Sequence, residues 1–415
     1  MRKSSRALFF VYSSHYVRPS LTPLLASCYF AQTRMSDSLH KQRLIELDGL
    51  RGFALIMILV FHSVSQEGEH PVGTSLACLQ RSISMGWTAL DLFFVLSGFL
   101  IGGILMDARD SPFYFKTFYA RRFFRIVPVY FAWVLLYVLV AGLAADLVVK
   151  FSNSDRRPPL DFSIWSHFLF LQNSFDFHYF GFAGAWFGHL WSLAVEEQFY
   201  LVAPLAVRLV LPRYLKWVLV LVALLAILAR LYFRFVHHMP VPMVFTRTLS
   251  RMDSLSIGML AAILVRSENG RRWLEQNLAA LRVILALLTM GVALFFFFSY
   301  GSLTLGMQTI GFTWMAAFYA AVLLLAVQNR SGWLAGFLRT PLLLELGSVS
   351  YCVYLVHLVA NVTLHALLLH HSPRISTLSG LLVTVLAIFI AYGIAKLSWI
   401  YFEGPLQRRG HAFRY

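Results

Sequence analysis

Residues 191–211 read WSLAVEEQFYLVAPLAVRLVL, an apolar run of membrane length that contains two adjacent carboxylates, Glu196 and Glu197. A charge at bilayer depth costs at least ~2.5–3.5 kcal/mol, so a charged residue inside a span is a candidate for function. In a helix, Ser192, Glu196 and Tyr200 follow at i, i+4 and i+8 and share one face, whereas Glu197 points about 100° away. The run therefore predicts a membrane helix in which Glu196 lies with other polar side chains.

Apolar runs of this kind recur along the whole chain. Of the 415 residues, 59% are hydrophobic and 13% are charged, whereas soluble domains have about 25% charged residues. The runs are continuous and do not alternate between polar and apolar residues, which favours helices over the strands of a barrel. We expect an all-α polytopic membrane protein with about ten transmembrane helices, at residues 50–66, 85–106, 126–147, 190–211, 215–236, 248–265, 283–300, 307–327, 346–369 and 377–402.

The basic residues indicate the orientation of the chain. The formal net charge is +16, but the Lys and Arg residues lie mainly in short loops, where they set topology. With ten spans, sixteen basic residues of the connections and the C-terminal end face one side and six face the other. This bias predicts that both termini are cytoplasmic. No basic stripe with interleaved aromatic residues stands outside the spans, so we expect membrane lipid and no nucleic acid among the partners.

The sequence divides into three parts. Residues 1–43 are predicted to be a disordered N-terminal extension, residues 44–409 the membrane domain, and residues 410–415 a cytoplasmic tail. The three cysteines are far apart and predict neither a disulfide framework nor a metal site; they are Cys28, Cys78 and Cys352. The longest outer connection, at about 148–189, contains aromatic residues that either stack on sugar rings or lie at the membrane interface. These are Trp165, Phe175, Phe177, Tyr179, Phe180 and Trp186.

The first two spans hold polar residues at positions of interest. In LDGLRGFALIMILVFHSV, Arg51 and His62 are eleven residues apart, so both lie on one helix face and are separated by ~16 Å along the axis. Arg51 either anchors the helix at the membrane interface or has a role in a functional site. His62 is either a hydrogen-bonding residue between helices or a general base. In DLFFVLSGFLIGGIL, the small residues around Ser97 favour close approach of a neighbouring helix or of a ligand.

Three arginines precede Pro128 in the stretch FYARRFFRIVPVY, namely Arg121, Arg122 and Arg125. One interpretation is anchoring at the inner surface with attraction to anionic lipid. The other is a docking site for a phosphorylated cytosolic compound, because the guanidinium fork matches phosphate geometry.

Two later spans also place polar residues together. In RMDSLSIG, Arg251 and Asp253 are predicted near the outer end of the sixth span. They form either a structural ion pair or, through Arg251, a partner for Glu196. In LGSVSYCVYLVHL, Tyr354 and His357 share a helix face, which predicts a second imidazole in mid-membrane.

Seven motifs, in this order, resemble those of acyltransferase family 3, the integral-membrane O-acyltransferases. The resemblance covers residues 44–409, and the closing motif differs from the family's common E-K-P because Gly404 replaces the Lys. The motifs are LDGLRG followed by a histidine, DLFFVLSGFLI, FYARRFFRIVP, WSLAVEEQFYL, RMDSLSIG, LGSVSYCVYLVHL and FEGP.

The resemblance implies transfer of an acyl group, often acetyl, from cytosolic acyl-CoA to a hydroxyl of an extracytoplasmic or lipid-linked saccharide. It also implies a bacterial inner membrane in most cases, and no metal. We predict that His62 and Glu196 are catalytic, with Glu196 holding the imidazole of His62. The predicted acyl-CoA-binding residues are Arg51, Arg121, Arg122 and Arg125, and the predicted supporting residues are Asp48, Ser97, Tyr200, Arg251, Asp253, Tyr354 and His357.

Two other functions are compatible with the same pattern. A multi-pass transporter or exporter would use the buried His and Glu residues as a proton relay, although the sequence has no visible inverted repeat. A subunit that binds lipid-linked glycan without chemistry would not need the base. The acceptor and the length of the acyl chain stay open at this point.

Overall fold

The computed structural model describes residues 44–65, 83–143, 162–175, 181–298 and 304–415, and within these ranges the chain is helical and contains no strand. The predicted extension 1–43, Phe177, Tyr179, Phe180 and two of the cysteines, Cys28 and Cys78, lie outside the described residues. The helices are α1 Ile45–Ser65, α2 Ala89–Asp107, α3 Tyr114–Leu143, α4 Phe162–Phe168, α5 Gly181–Phe187, α6 Trp191–Leu209, α7 Pro212–Leu231, α8 Val241–Thr246, α9 Met252–Arg266, α10 Glu268–Gln276, α11 Leu278–Phe298, α12 Phe312–Gln328, α13 Trp333–Leu338, α14 Pro341–Leu369, α15 Leu378–Ser398 and α16 Gly404–His411.

Nine of the described helical segments are long and apolar enough to cross a membrane. The fourth predicted span, at residues 190–211, is not among these nine. It is α6, a helix of 19 residues that carries Glu196, Glu197 and Arg208 and is therefore less hydrophobic than the others. The prediction of an all-α polytopic membrane protein is confirmed. We call the side at which α1 begins the inner side and the opposite side the outer side; that the inner side is cytoplasmic stays a prediction.

Helix α3 is longer than the span predicted for it. It begins at Tyr114, twelve residues before the predicted start, and has 30 residues with Pro128 inside it. A helix of this length rises ~45 Å, which exceeds the ~30 Å of the hydrocarbon core. Its first turns therefore reach beyond the apolar layer, and they carry the three arginines. Hydropathy detects only the apolar part of this helix. The basic turns at its start are not apolar, because they lie at the membrane boundary.

Glycines allow the central helices to approach closely. A Cβ on Gly98 of α2 would collide with the carbonyl oxygen of Leu255 in α9, which confirms the expectation of close helix packing around Ser97. A Cβ on Gly347 of α14 would collide with the carbonyl oxygen of Asp48 in α1. Further along the same two helices His62 meets His357. Helices α1 and α14 therefore run side by side in the same direction.

The last residues of the chain pack against α3. Arg121 donates from Nε to the carbonyl oxygen of Phe413 at 2.9 Å, and Thr117 donates to that of Arg414 at 2.8 Å. The guanidinium of Arg121 also lies 5.1 Å from the ring centre of Tyr415. Residues 410–415, predicted as a tail, are thus held against the helix that carries the arginines.

Candidate functional site

The three arginines of α3 line a cavity near the inner side. Its volume is about 190 Å³. The guanidinium of Arg122 lies 5.7 Å from the ring centre of Tyr200, which places α6 beside the cavity. The lining residues are Ile104, Phe118, Arg121, Arg122, Arg125, Gln407, His411 and Tyr415.

The arginines of this cavity interact with Glu196 and Glu197 electrostatically but form no direct ion pair with a carboxylate of the described residues. Within the described ranges, no carboxylate oxygen lies within 4.0 Å of a guanidinium nitrogen of Arg121, Arg122 or Arg125. Arg51 is half-buried nearby and is paired with Asp48 through a 2.9 Å contact. A group of guanidinium forks that line a cavity without a directly paired carboxylate suits a polyanion such as a phosphate ester.

The polar face of α6 extends away from the arginines. Tyr200 donates from its hydroxyl to Glu196 at 3.1 Å, and the same oxygen lies 2.5 Å from Oγ of Ser97 in α2. Arg51, Arg122 and Arg125 are the cations that act on the Glu196 carboxylate. One turn further out, the hydroxyl of Ser192 lies 2.8 Å from that of Tyr354. The predicted shared face is therefore present, and it joins the arginines to α14.

A pair of imidazoles lies at the outer end of this face. Nδ1 of His62 lies 2.8 Å from Nε2 of His357, whose Nδ1 lies 2.8 Å from the carbonyl oxygen of Tyr354. His189, in the connection between α5 and α6, has its ring centre 5.4 Å from that of His357. Burial, together with the nearby imidazoles, lowers the pKa of His189 well below its ordinary value, so this ring is neutral at physiological pH.

A second cavity of about 190 Å³ opens beside His62. Its walls are largely aromatic and aliphatic, and its polar groups are two imidazoles and a phenol, the composition expected of a small-molecule site. The lining residues are Ile58, Phe61, His62, Trp87, Leu90, Gly188, His189, Trp191, Phe245, Tyr354 and Leu358.

The structure changes the predicted partner of Glu196. The carboxylate accepts from Tyr200 and is influenced by arginines, whereas His62 meets His357. Among the contacts of the described residues, Glu196 has none with His62. The predicted pairing is therefore wrong, because the Glu196 face turns toward the arginines and a second imidazole occupies the position beside His62.

The alternative in which Arg251 and Asp253 form an ion pair with each other is also wrong. Arg251 lies 2.6 Å from Asp91 of α2, and Asp253 lies 2.8 Å from Arg230 of α7. All four side chains have 0% exposure. Neither pair includes Glu196, so the alternative partner proposed for that residue is excluded as well. Two residues apart on the chain, Arg251 and Asp253 point toward different neighbouring helices.

Sequence reasoning missed Arg230. It donates to Asp253, to Ser250 and to two groups of the segment before and within α12, Thr309 and Thr313. The signal was present, because Arg230 is a single charge in the apolar run LVALLAILARLYF, and such a charge needs a partner inside the protein.

One predicted sugar-stacking residue belongs to the packed interior. Trp186 is 4% exposed and its ring centre lies 4.2 Å from that of Trp133, so it supports α3 and does not present a face to a ligand. Trp165 is 64% exposed and Phe175 is also exposed. Within the described ranges no cluster of three or more His, Cys, Asp or Glu side chains is arranged to hold a metal ion.

The fold and the site define a polytopic helical membrane protein in which buried polar residues join an arginine-lined cavity to an imidazole-lined one. The chain belongs to the acyltransferase family: the family model described as "Acyltransferase domain" matches residues 44–395. The family predicted from the seven motifs is thereby confirmed, and the match begins at the predicted first residue of the membrane domain.

Curated relatives agree with this assignment. The chain is 25% identical over 374 residues to "O-acetyltransferase OatA" of Staphylococcus aureus (strain NCTC 8325 / PS 47), a match that covers 88% of this chain and 57% of the relative. It is 25% identical over 386 residues to "Putative O-acetyltransferase SACOL0978" of Staphylococcus aureus (strain COL), with the same coverage. The chain thus spans little more than half the length of these relatives. No solved structure matches it.

Proposed function

We propose that the chain is a membrane O-acyltransferase that transfers an acetyl group from cytosolic acetyl-CoA to a hydroxyl of an extracytoplasmic or lipid-linked saccharide, in a bacterial inner membrane. The observation that carries the proposal is the pairing of two unlike cavities in one helical bundle. One is lined by arginines that have no directly paired carboxylate among the described residues, and the other by imidazoles and aromatic rings. The names of the O-acetyltransferase relatives support the same reaction.

The arginine cavity is the proposed donor site. Arg121, Arg122 and Arg125 would hold the phosphate groups of the donor, because each fork can give two hydrogen bonds to one phosphate. Arg51 lies near these residues and, like Arg122 and Arg125, interacts electrostatically with the Glu196 carboxylate. The rise of ~16 Å from Arg51 to His62 is comparable with the length of an extended pantetheine arm, which brings the thioester toward the imidazoles.

The imidazole pair supplies the base. His62 removes the proton from the acceptor hydroxyl while the oxygen attacks the thioester carbonyl carbon, and general-base assistance of this kind contributes typically ~10²–10⁴-fold. Glu196 acts on the donor side of this step, because it holds Tyr200 and faces the arginines. The aromatic walls formed by Trp87 and Trp191 would pack on the apolar face of a sugar ring.

A radiolabel assay tests the proposal. Inside-out membrane vesicles from cells that express the chain are supplied with acetyl-CoA labelled in the acetyl group, and label is measured in the saccharide fraction before and after mild alkali, which releases O-esters. We expect alkali-labile label that depends on the chain. His62→Ala should reduce it at least 100-fold, whereas His237→Ala, which changes an exposed histidine, should leave it unchanged.

The same assay separates the rival functions. A transporter would leave the acetyl-CoA thioester unconsumed, and a glycan-binding subunit would give vesicles without new O-ester. Near-normal transfer by a correctly inserted His62→Ala protein would contradict the proposed mechanism.

A further inference from the structure

The imidazoles of His62, which is half-buried, and of His357, which is buried, meet edge to edge. The nitrogens Nδ1 of His62 and Nε2 of His357 are 2.8 Å apart, the ring centres are 5.0 Å apart and the ring planes differ by 16°. The separation of the centres is close to the nitrogen–nitrogen distance plus two ring radii. The nitrogens therefore face each other nearly in the plane of both rings, where an N–H and a lone pair point.

The contacts of His357 decide which nitrogen carries the proton. Its Nδ1 lies 2.8 Å from the carbonyl oxygen of Tyr354 and 3.2 Å from that of Val353. A carbonyl oxygen only accepts, so Nδ1 of His357 must donate and, in the neutral ring, Nε2 must accept. The proton between the two rings then belongs to Nδ1 of His62. A neutral His62 consequently has its lone pair at Nε2.

The position of His357 is itself fixed by surrounding contacts. Its ring packs beside that of His189, with the centres 5.4 Å apart, and beside that of Tyr354, with the centres 5.8 Å apart. His357 is buried, with 5% of its surface exposed. Its ring therefore has little freedom to turn and exchange the roles of its two nitrogens.

We infer that His357 is a positioning residue, which accepts a hydrogen bond from the Nδ1–H of His62 and so holds the base in the tautomer whose Nε2 lone pair removes the proton of the acceptor hydroxyl. The inference rests on the proposed function and assigns a role to a residue that the sequence marks only as supporting.

Each bond and proton of the step is accounted for. The acceptor O–H proton moves to Nε2 of His62, the oxygen bonds to the thioester carbonyl carbon, the carbon–sulfur bond breaks, and the leaving thiolate takes the proton from the imidazolium. While His62 is positively charged, Nε2 of His357 still accepts its Nδ1–H, and the carbonyl oxygen of Tyr354 still accepts from His357. No carboxylate is required in this chain of hydrogen bonds, which differs from the usual Ser-His-Asp arrangement.

Two amide substitutions test the inference. His357→Gln places an amide oxygen near the former Nε2, where it can accept from His62, whereas His357→Asn reaches only the former Nδ1 position. In the vesicle assay with labelled acetyl-CoA, we expect His357→Gln to keep kcat within about 5-fold of the unmodified protein, a change of ~1 kcal/mol. We expect His357→Asn to lower kcat by ~10–100-fold, as for loss of an orienting hydrogen bond. The KM for acetyl-CoA should be unchanged in both.

The outcomes distinguish the inference from a purely structural role. Equal activity of the Gln and Asn variants, or a His62→Gln protein that keeps activity while His357→Gln loses it, would overturn the inference. Thermal unfolding in detergent is measured for each variant. If the Asn protein fails to fold, the Gln protein decides alone, since a 100-fold loss in a folded Gln variant contradicts the proposed acceptor role. If the unmodified chain forms no alkali-labile label, the proposed function itself fails.

Discussion

Two groups of arginines lie in the same helical bundle and differ in their burial and in their partners. Arg251 and Arg230 each face an aspartate, Asp91 and Asp253, and all four side chains are fully buried. Arg122 and Arg125 instead line a cavity, where Arg122 lies near Arg125 and the Tyr200 phenol. Glu196 and Glu197 act on them electrostatically, but among the described residues no carboxylate oxygen lies within 4.0 Å of either guanidinium. We call the first group closed, because aspartates of the protein pair with its arginines. We call the second group open, because its positive charge is available to a ligand.

Because of this difference, mutations in the two groups should affect stability and anion binding differently. Breaking a closed pair leaves an uncompensated charge in a medium of low dielectric constant, so stability falls. Removing one arginine from the open group relieves repulsion between like charges, so stability should be kept while binding of an anion is lost.

Arg251→Met should destabilise the protein by ~3–5 kcal/mol. Asp91 would remain buried with Ser254 as its hydrogen-bonding partner, and the contact of the guanidinium with the Phe312 ring, at 4.2 Å, would be lost. The measurement is thermal unfolding of the detergent-solubilised protein. The matched control is Arg272→Met, which breaks an exposed pair with Glu268 and should leave unfolding unchanged.

The double variant Arg251→Met with Asp91→Leu sharpens this test. Replacing both charges by apolar groups removes the unpaired carboxylate, so much of the lost stability should return. If the double variant unfolds no later than the single one, the loss comes from packing around Phe312 and not from the ion pair.

Glu196→Gln should lower acetyl transfer by about 100-fold, whereas Glu197→Gln should lower it less. Glu196 holds Tyr200 and faces three arginines, whereas no hydrogen bond of the Glu197 carboxylate is present among the described residues. The measurement is the initial rate of O-ester formation in vesicles, normalised to folded protein. Equal losses in the two variants would contradict the distinction drawn from the shared helix face.

Arg122→Gln and Arg125→Gln should each raise the KM for acetyl-CoA by ~10–100-fold, because a hydrogen bond to a charged group contributes ~1.5–3 kcal/mol. Unfolding temperatures should not fall. The control is Lys116→Gln, which removes an exposed charge from the same helix. Unchanged KM values in both arginine variants would exclude the arginine cavity as the donor site.

The sequence predicted the helices and the residues of the site better than it predicted their contacts. Periodicity placed Ser192, Glu196 and Tyr200 on one face, because that relation lies within a single helix. It could not assign Arg251 to Asp91, or His62 to His357, because those contacts depend on which helices pack together. The two histidines are 295 positions apart in the sequence, and the chain between them contains no local signal of their contact. The start of α3 was missed for another reason, since hydropathy does not detect a helix that extends past the apolar layer.

The smallest expected effect concerns the hydroxyl groups between the two cavities. Tyr200→Phe removes the hydrogen bonds to Ser97 and Glu196 without changing the ring, and should lower the rate by about 10-fold, or ~1.4 kcal/mol. Tyr319→Phe removes a comparable 2.7 Å bond to Thr88 that lies outside this polar face and should leave the rate unchanged. Ser97→Ala should cost no more than Tyr200→Phe, because the acceptor attacks the thioester directly. A loss of 1,000-fold or more in a folded Ser97→Ala protein would instead indicate a covalent acyl-enzyme on Ser97, with Glu196 and Tyr200 as its base. In that case residues at the inner end of the polar face would take part in the acyl transfer, whereas direct transfer needs only the imidazoles as the base.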